Sequence, residues 1–118
     1  GTQLQDIIQR VFDYGAREVH MRPACPPLVF GCKFLNFSRS RSEMDLAARR
    51  SIVALAGEEP EDLKSYVETG SQDYLAMVEG IRERLGLTSL RYQRLEDMVE
   101  AIGLPRDKLC TYCWSGEE

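Results

Sequence analysis

The sequence predicts an α/β unit, helix-rich with few short strands. Apolar residues recur at helical spacing between capping residues and glycines along most of the chain. Strand-like alternation appears only in brief runs, too few for a full parallel sheet. The first helix is entered directly at Gly1-Thr2 with no strand before it, so the 118 residues read as a domain truncated at its N-terminus.

Leu4, Ile7, Ile8, Val11 and Phe12 fall at i, i+3, i+4, i+7 and i+8, one apolar stripe of a first helix. Thr2 and Gln5 are spaced as a capping box, and Gly15 is placed to stop the helix. Residues 18–22 alternate, Val19 and Met21 against Glu18, His20 and Arg22, which predicts a short strand ended by Pro23. Helix, glycine turn and strand make the second half of a strand-helix-strand crossover. Residues 24–42 hold further prolines, then Phe30, Phe34 and Phe37, a density of aromatic residues that favours an ordered but irregular segment.

Ser40 or Ser42 is expected to cap a helix through Ala56, with Gly57 as its stop. Pro60 is expected in the first turn of a short helix carrying Leu63, Tyr66 and Val67. Ser71 opens a longer helix with Tyr74, Leu75, Val78, Ile81 and Leu85 on one face and Gly86 after it. Residues 89–93 predict a second brief strand, with Leu90 and Tyr92 on one side. Leu95, Met98, Val99 and Ile102 form a last helical stripe closed by Gly103 and Pro105.

At 43% hydrophobic and 29% charged content the chain has the composition of a globular domain. A net charge of -4, with basic residues scattered among acids, argues against nucleic acid as a partner. No apolar run approaches the roughly 20 residues of a membrane helix and no signal-like series opens the chain. A cytoplasmic protein with no membrane partner is the expectation.

Cys110-Thr111-Tyr112-Cys113 places two thiols within one turn of backbone, and Cys32 follows the Pro26-Pro27 pair far upstream. Two thiolates at that spacing, with a third from a distant segment, are suited to one metal centre that would staple the tail to the body. Zinc bound by the four cysteines and thiols holding no metal are the alternatives. A thioredoxin-like redox pair is disfavoured, because such motifs lie between a strand and a helix whereas this one follows a helix near the chain end. Trp114 is read as shielding the cysteines from water. His20, the single histidine, reads as a surface or hydrogen-bonded residue rather than a catalytic base. Arg39 and Arg41 read as part of a solvated turn.

Several segments together resemble the amidophosphoribosyltransferase family, which opens de novo purine synthesis. They are Gly1-Thr2, the run from Gly15 through Ala16, Arg17, Glu18, Val19, His20 and Met21 to Arg22, Pro26-Pro27 followed by Cys32, Ser89-Leu90-Arg91-Tyr92 with Leu95-Glu96, Ala101-Ile102-Gly103, and the closing cysteine pair before Gly116-Glu117. Their order along the chain, more than any one of them, makes the likeness specific. The resemblance implies residues 1–118 as the C-terminal segment of a type I phosphoribosyltransferase-like domain. It also implies a whole enzyme that moves glutamine-derived ammonia onto phosphoribosylpyrophosphate, with Mg2+, to give 5-phosphoribosylamine.

On that resemblance Gly1 and Thr2 match the turn that holds the 5-phosphate, where a helix N-terminus favours an anion. Cys32, Cys110 and Cys113 match three ligands of the 4Fe-4S cluster found in cluster-containing members, and the fourth family ligand would precede Gly1. Cys25, seven residues before Cys32, is a candidate for the open corner. No catalytic residue is implied within the chain, since the nucleophile and the acidic pair of the family lie upstream, and the isolated chain is expected to be inactive. The family's tetramers imply a homo-oligomer. Departures are Gln3 in place of a second threonine, and Gly31-Cys32-Lys33-Phe34-Leu35-Asn36 in place of a Pro-Cys-Phe-Tyr-Gly pattern. The alternative is a stand-alone metal-stapled structural or interaction module without catalysis.

Overall fold

A computed structural model describes residues 2–32 and 47–117. It is helix-rich with a two-stranded parallel sheet, an arrangement compatible with an α/β fragment. In chain order come α1 (Thr2–Asp13), β1 (His20–Met21), α2 (Ala47–Ala56), α3 (Lys64–Val67), α4 (Gln72–Leu85), β2 (Ser89–Leu90), α5 (Leu95–Ile102), a 3-10 turn (Arg106–Lys108) and α6 (Tyr112–Ser115).

The organising element is α4, against which α1, α2, α3 and β2 all pack. Ser71 caps it, its hydroxyl accepting from the Tyr74 amide at 3.1 Å, and Gly86 ends it in the left-handed conformation. Its buried face is Tyr74, Met77, Val78, Ile81 and Leu85. The expected stripe holds at Tyr74, Val78, Ile81 and Leu85 and differs in one residue: Leu75 is 57% exposed and Met77 fully buried. Position 77 lies three residues after Tyr74 and four before Ile81, on their face, whereas Leu75 is rotated about 100° from Tyr74. Each of these side chains contributes roughly 1.5–3 kcal/mol when fully buried.

Where α2 crosses α4 the backbones approach closely. Ser51 on α2 is buried and its hydroxyl donates to the Met77 carbonyl at 2.7 Å, directly beside Gly80. The α2 helix ends as expected, with Gly57 at positive φ and its amide donating to the Val53 carbonyl at 2.8 Å. The expected caps Ser40 and Ser42, like Phe34, Phe37, Arg39 and Arg41, lie outside the described residues.

Other expectations need correction. On α1, among the residues whose burial is described, only Ile8 is buried, with Phe12 packed partly against the core, while Leu4, Ile7 and Val11 are exposed. The contact with α4 covers one edge of the apolar stripe. Gln5 does not spend its amide group on the helix start; Nε2 donates to the Arg84 carbonyl at 2.6 Å. Pro60 precedes α3 rather than entering its first turn, and Asp62 accepts from the Lys64 amide at 2.9 Å instead. The α5 stripe contains no fully buried residue, and Ile102 is 51% exposed.

The strands are shorter than the alternation suggested. His20 pairs with Ser89 and Met21 with Leu90, and the ladder is extended by Thr88 N–H to the Val19 carbonyl and Arg91 N–H to the Met21 carbonyl. Side chains reinforce the pair: Val19 N–H donates to Thr88 Oγ1 at 2.9 Å, and His20 Nδ1 lies 2.6 Å from Ser89 Oγ. Leu87 and Leu90 are buried beneath the strands.

Candidate functional site

The tail reaches the cysteine region because its local turns reverse it sharply. Gly103 takes the left-handed conformation after α5, and Pro105 leads into the 3-10 turn. The buried Thr111 then starts α6, its carbonyl accepting from Trp114 N–H and Ser115 N–H at 3.0 Å each. Cys110 precedes this turn and is exposed, whereas Cys113 sits within it and is half-buried. Gly116, at φ +76°, closes the turn with its amide donating to the Tyr112 carbonyl at 2.7 Å.

Cys113 is where tail and body meet. Its carbonyl accepts from both Val29 N–H, at 3.0 Å, and Phe30 N–H, at 3.1 Å. The segment it grips is held from the other side by Arg49 of α2. That buried side chain donates from Nε to the Val29 carbonyl at 2.6 Å, pairs through Nη1 with Glu59 at 2.6 Å, and lies 5.2 Å from the centre of the Phe30 ring. Phe30 also packs on Tyr112 with ring centres 5.6 Å apart, and an added Cβ on Gly116 would stand 2.7 Å from Phe30 Cζ. Charged hydrogen bonds of this kind contribute roughly 1.5–3 kcal/mol each. A proline-rich strip is thus clamped between α2 and α6, and Cys25 and Cys32 lie at its two ends.

Burial pushes the Cys113 thiol up, and repulsion from thiolates at Cys32, Cys110 and Cys25 pushes it further. Burial also raises Cys25, partly offset by the indole N–H of Trp114, which favours its thiolate. That indole Nε1 is buried with no partner in good hydrogen-bonding geometry among the described residues. Trp114 lines, with Pro26, Pro27 and Val29, a small cavity of about 50 Å³. Tyr92 is raised to about 12, first by burial, then by the charge of Cys25 and of Tyr74. None of the cysteines is in a disulfide.

Thiolate sulfur is the donor that iron-sulfur clusters and structural zinc require. Among the described residues no three His, Cys, Asp or Glu side chains converge on a point that could hold one metal ion. A single zinc at about 2.3 Å from each sulfur needs such convergence.

The remaining expected positions are simply placed. Gly1 lies outside the described residues, and Thr2 is the first residue of α1. His20 is exposed and bridges Ser89 Oγ and Glu18 Oε2, the latter at 3.0 Å. Sequence reasoning missed Arg49, and it quoted Gly116 for the likeness without giving it a role in the turn. A left-handed glycine after the cysteine turn had a signal in its position after the last apolar residue, but an arginine buried on a helix has none.

No family model matches the chain, and no solved structure matches it. Curated relatives do. An amidophosphoribosyltransferase of Methanothermobacter thermautotrophicus is 28% identical over 117 residues, 99% of this chain and 19% of the relative. That of Archaeoglobus fulgidus is 34% identical over 102 residues, 86% of this chain and 16% of the relative. A chloroplastic amidophosphoribosyltransferase of Glycine max is 28% identical over 117 residues, 99% of this chain and 16% of the relative. The chain spans less than a fifth of the length of these relatives. Among the described residues no helix is long and apolar enough to cross a membrane. With the residues that carry the likeness now placed along one ordered chain, the sequence is that of a relative of amidophosphoribosyltransferases, aligned with a short part of them and consistent with their C-terminal part.

Proposed function

We propose that the chain is the C-terminal segment of a type I phosphoribosyltransferase-like domain in an amidophosphoribosyltransferase or close homologue. The whole enzyme transfers glutamine-derived ammonia to phosphoribosylpyrophosphate, with Mg2+, to give 5-phosphoribosylamine in purine synthesis. Within it, Gly1 and Thr2 belong to the phosphate turn, and Cys32, Cys110 and Cys113 hold a 4Fe-4S cluster that ties the tail to the domain. The cluster is structural, since ammonia transfer needs no redox step. This chain carries no catalytic residue and is inactive alone. The enzyme is a cytoplasmic homo-oligomer.

The observation that carries this reading is the double hydrogen bond from Val29 and Phe30 to the Cys113 carbonyl, which brings the segment preceding Cys32 onto the closing pair. Repulsion among the sulfurs around Cys113 supports it further. The parallel pairing of β1 with β2 supports a parallel-sheet domain.

The test measures pyrophosphate release from phosphoribosylpyrophosphate by the full polypeptide that carries this chain, with glutamine and Mg2+. Glutamine-dependent release is expected from it, and none from the 118 residues. A full polypeptide with no turnover would refute the enzyme reading, and ammonia-dependent phosphoribosylamine from the isolated chain would refute the inactive-segment reading. Anaerobic purification with iron and sulfide determination tests the cluster separately, and cysteines that stay metal-free overturn it.

A further inference from the structure

The two strands end together. Because β1 and β2 run parallel with His20 opposite Ser89 and Met21 opposite Leu90, the next residues, Arg22 and Arg91, leave the same edge of the sheet side by side. Neighbouring strands lie about 4.8 Å apart, so the two positions adjoin. Side chains two residues apart on a strand share a face. His20 Nδ1 lies 2.6 Å from Ser89 Oγ on the outer face, while Met21, Leu90 and Tyr92 pack into the core behind it. Arg22 and Arg91 extend that outer row, and both are exposed. The Met21 carbonyl draws them together, accepting from the Arg91 amide at 3.2 Å and from Arg22 Nη1 at 2.8 Å. The Arg22 guanidinium is thereby held at the backbone of Arg91.

Like charges at neighbouring strand positions repel. Neither guanidinium is paired with a carboxylate among the described residues, and the acids nearest in sequence are engaged elsewhere, Glu18 with His20 at 3.0 Å and Glu96 with Arg94 at 3.7 Å. Glu18 also stands four residues before Arg22, roughly 13 Å along an extended chain. We propose that Arg22 and Arg91 together bind a phosphoryl oxyanion, free phosphate or a phosphate ester, at the C-terminal edge of the parallel strands. Guanidinium groups present forks of N–H donors that match phosphate oxygens, and two of them neutralise a dianion. The carboxyl ends of parallel strands are also where α/β sheets receive their ligands. The site shares no residue with the phosphate turn proposed at Gly1 and Thr2, so either can fail alone.

The full polypeptide that carries this chain is treated with phenylglyoxal at neutral pH, alone and with inorganic phosphate or methyl phosphate, and modification of each arginine is read by peptide mass. Acetate at the same ionic strength is the control for simple screening. Modification slowed several-fold at both Arg22 and Arg91, with the exposed Arg84 and Arg106 unchanged, is the expected result. Protection by either phosphate compound supports the site, and the one that protects at the lower concentration identifies the source. In R91Q, which alters an exposed side chain and keeps the ladder amide, Arg22 is expected to lose its protection with the far-ultraviolet circular dichroism unchanged. Equal rates with and without phosphate would overturn the proposal. So would equal protection by acetate, protection that extends to Arg84 and Arg106, or an Arg22 that stays protected in R91Q. The enzyme reading is tested separately by glutamine-dependent pyrophosphate release, so the failure of one is distinguishable from the failure of the other.

Discussion

Replacing Gly80 with alanine sets two opposing effects against each other at the crossing of α2 and α4. Alanine is favoured over glycine within a helix by ~0.8–1.0 kcal/mol. Against this, a Cβ at position 80 would fall well inside contact distance of Ser51 Oγ, while standing at an ordinary 3.5 Å from Ser51 Cβ. The hydroxyl cannot turn away without loss, because it is buried and donates to the Met77 carbonyl at 2.7 Å. Rotation leaves a buried polar group unsatisfied, at a cost of roughly 1–3 kcal/mol. Separating the helices instead would loosen Ile52 and Met77, both at 0% exposure.

The net expectation for G80A is a loss of about 1–2 kcal/mol. In a Ser51→Ala background the obstructing oxygen is gone, and the same substitution should stabilise by up to ~1 kcal/mol. The coupling between the two positions is then about 2–3 kcal/mol, within the range for residues in direct contact. Urea denaturation of the four proteins, followed by far-ultraviolet circular dichroism, measures it as shifts in midpoint at constant slope. A G80A effect of the same sign and size in both backgrounds, with coupling below about 0.5 kcal/mol, would refute the reasoning.

Gly116→Ala acts on the tail. Its φ of +76° and a Cβ 2.7 Å from Phe30 Cζ together set left-handed strain of roughly 1–2 kcal/mol beside an overpacking cost of roughly 1–3 kcal/mol. Faster alkylation of Cys113 and a shift in the emission of Trp114, the single tryptophan, are expected with helicity retained; an unchanged alkylation rate would show that the turn does not depend on this glycine. The pH prediction concerns Tyr92. Its phenol is raised to about 12 from an ordinary 10.0, so the folded state holds the proton that the unfolded state releases. This contribution is fully present below pH 10 and is lost between 10 and about 12, a fall of roughly 2–3 kcal/mol at ~1.36 kcal/mol per unit. Tyr92→Phe should flatten that limb, and an equally steep decline in the variant would assign it to other groups.

Helix periodicity and glycine stops were legible because they are local. Ser71, Gly86 and Gly103 sit where their backbone conformations demand them, and α4 and α5 lie between them as expected. Which residues of a stripe become core was less legible, since that depends on the neighbour. Leu4, Ile7 and Val11 have the same spacing as a buried face, yet α4 covers Ile8 and leaves them exposed. The α5 stripe likewise has helical spacing without a fully buried residue.

The cysteine pair and its partner upstream were visible as residue types at suggestive spacings, and the likeness to amidophosphoribosyltransferases was carried by their order. Sequence alone fixed donor chemistry, because sulfur is a property of the residue. Tertiary structure decided proximity: hydrogen bonds from Val29 and Phe30 to the Cys113 carbonyl, and the grip of Arg49 on the Val29 carbonyl, bring distant segments together. Those contacts join residues far apart in the chain and leave no periodic trace, so no pattern in the sequence could announce them.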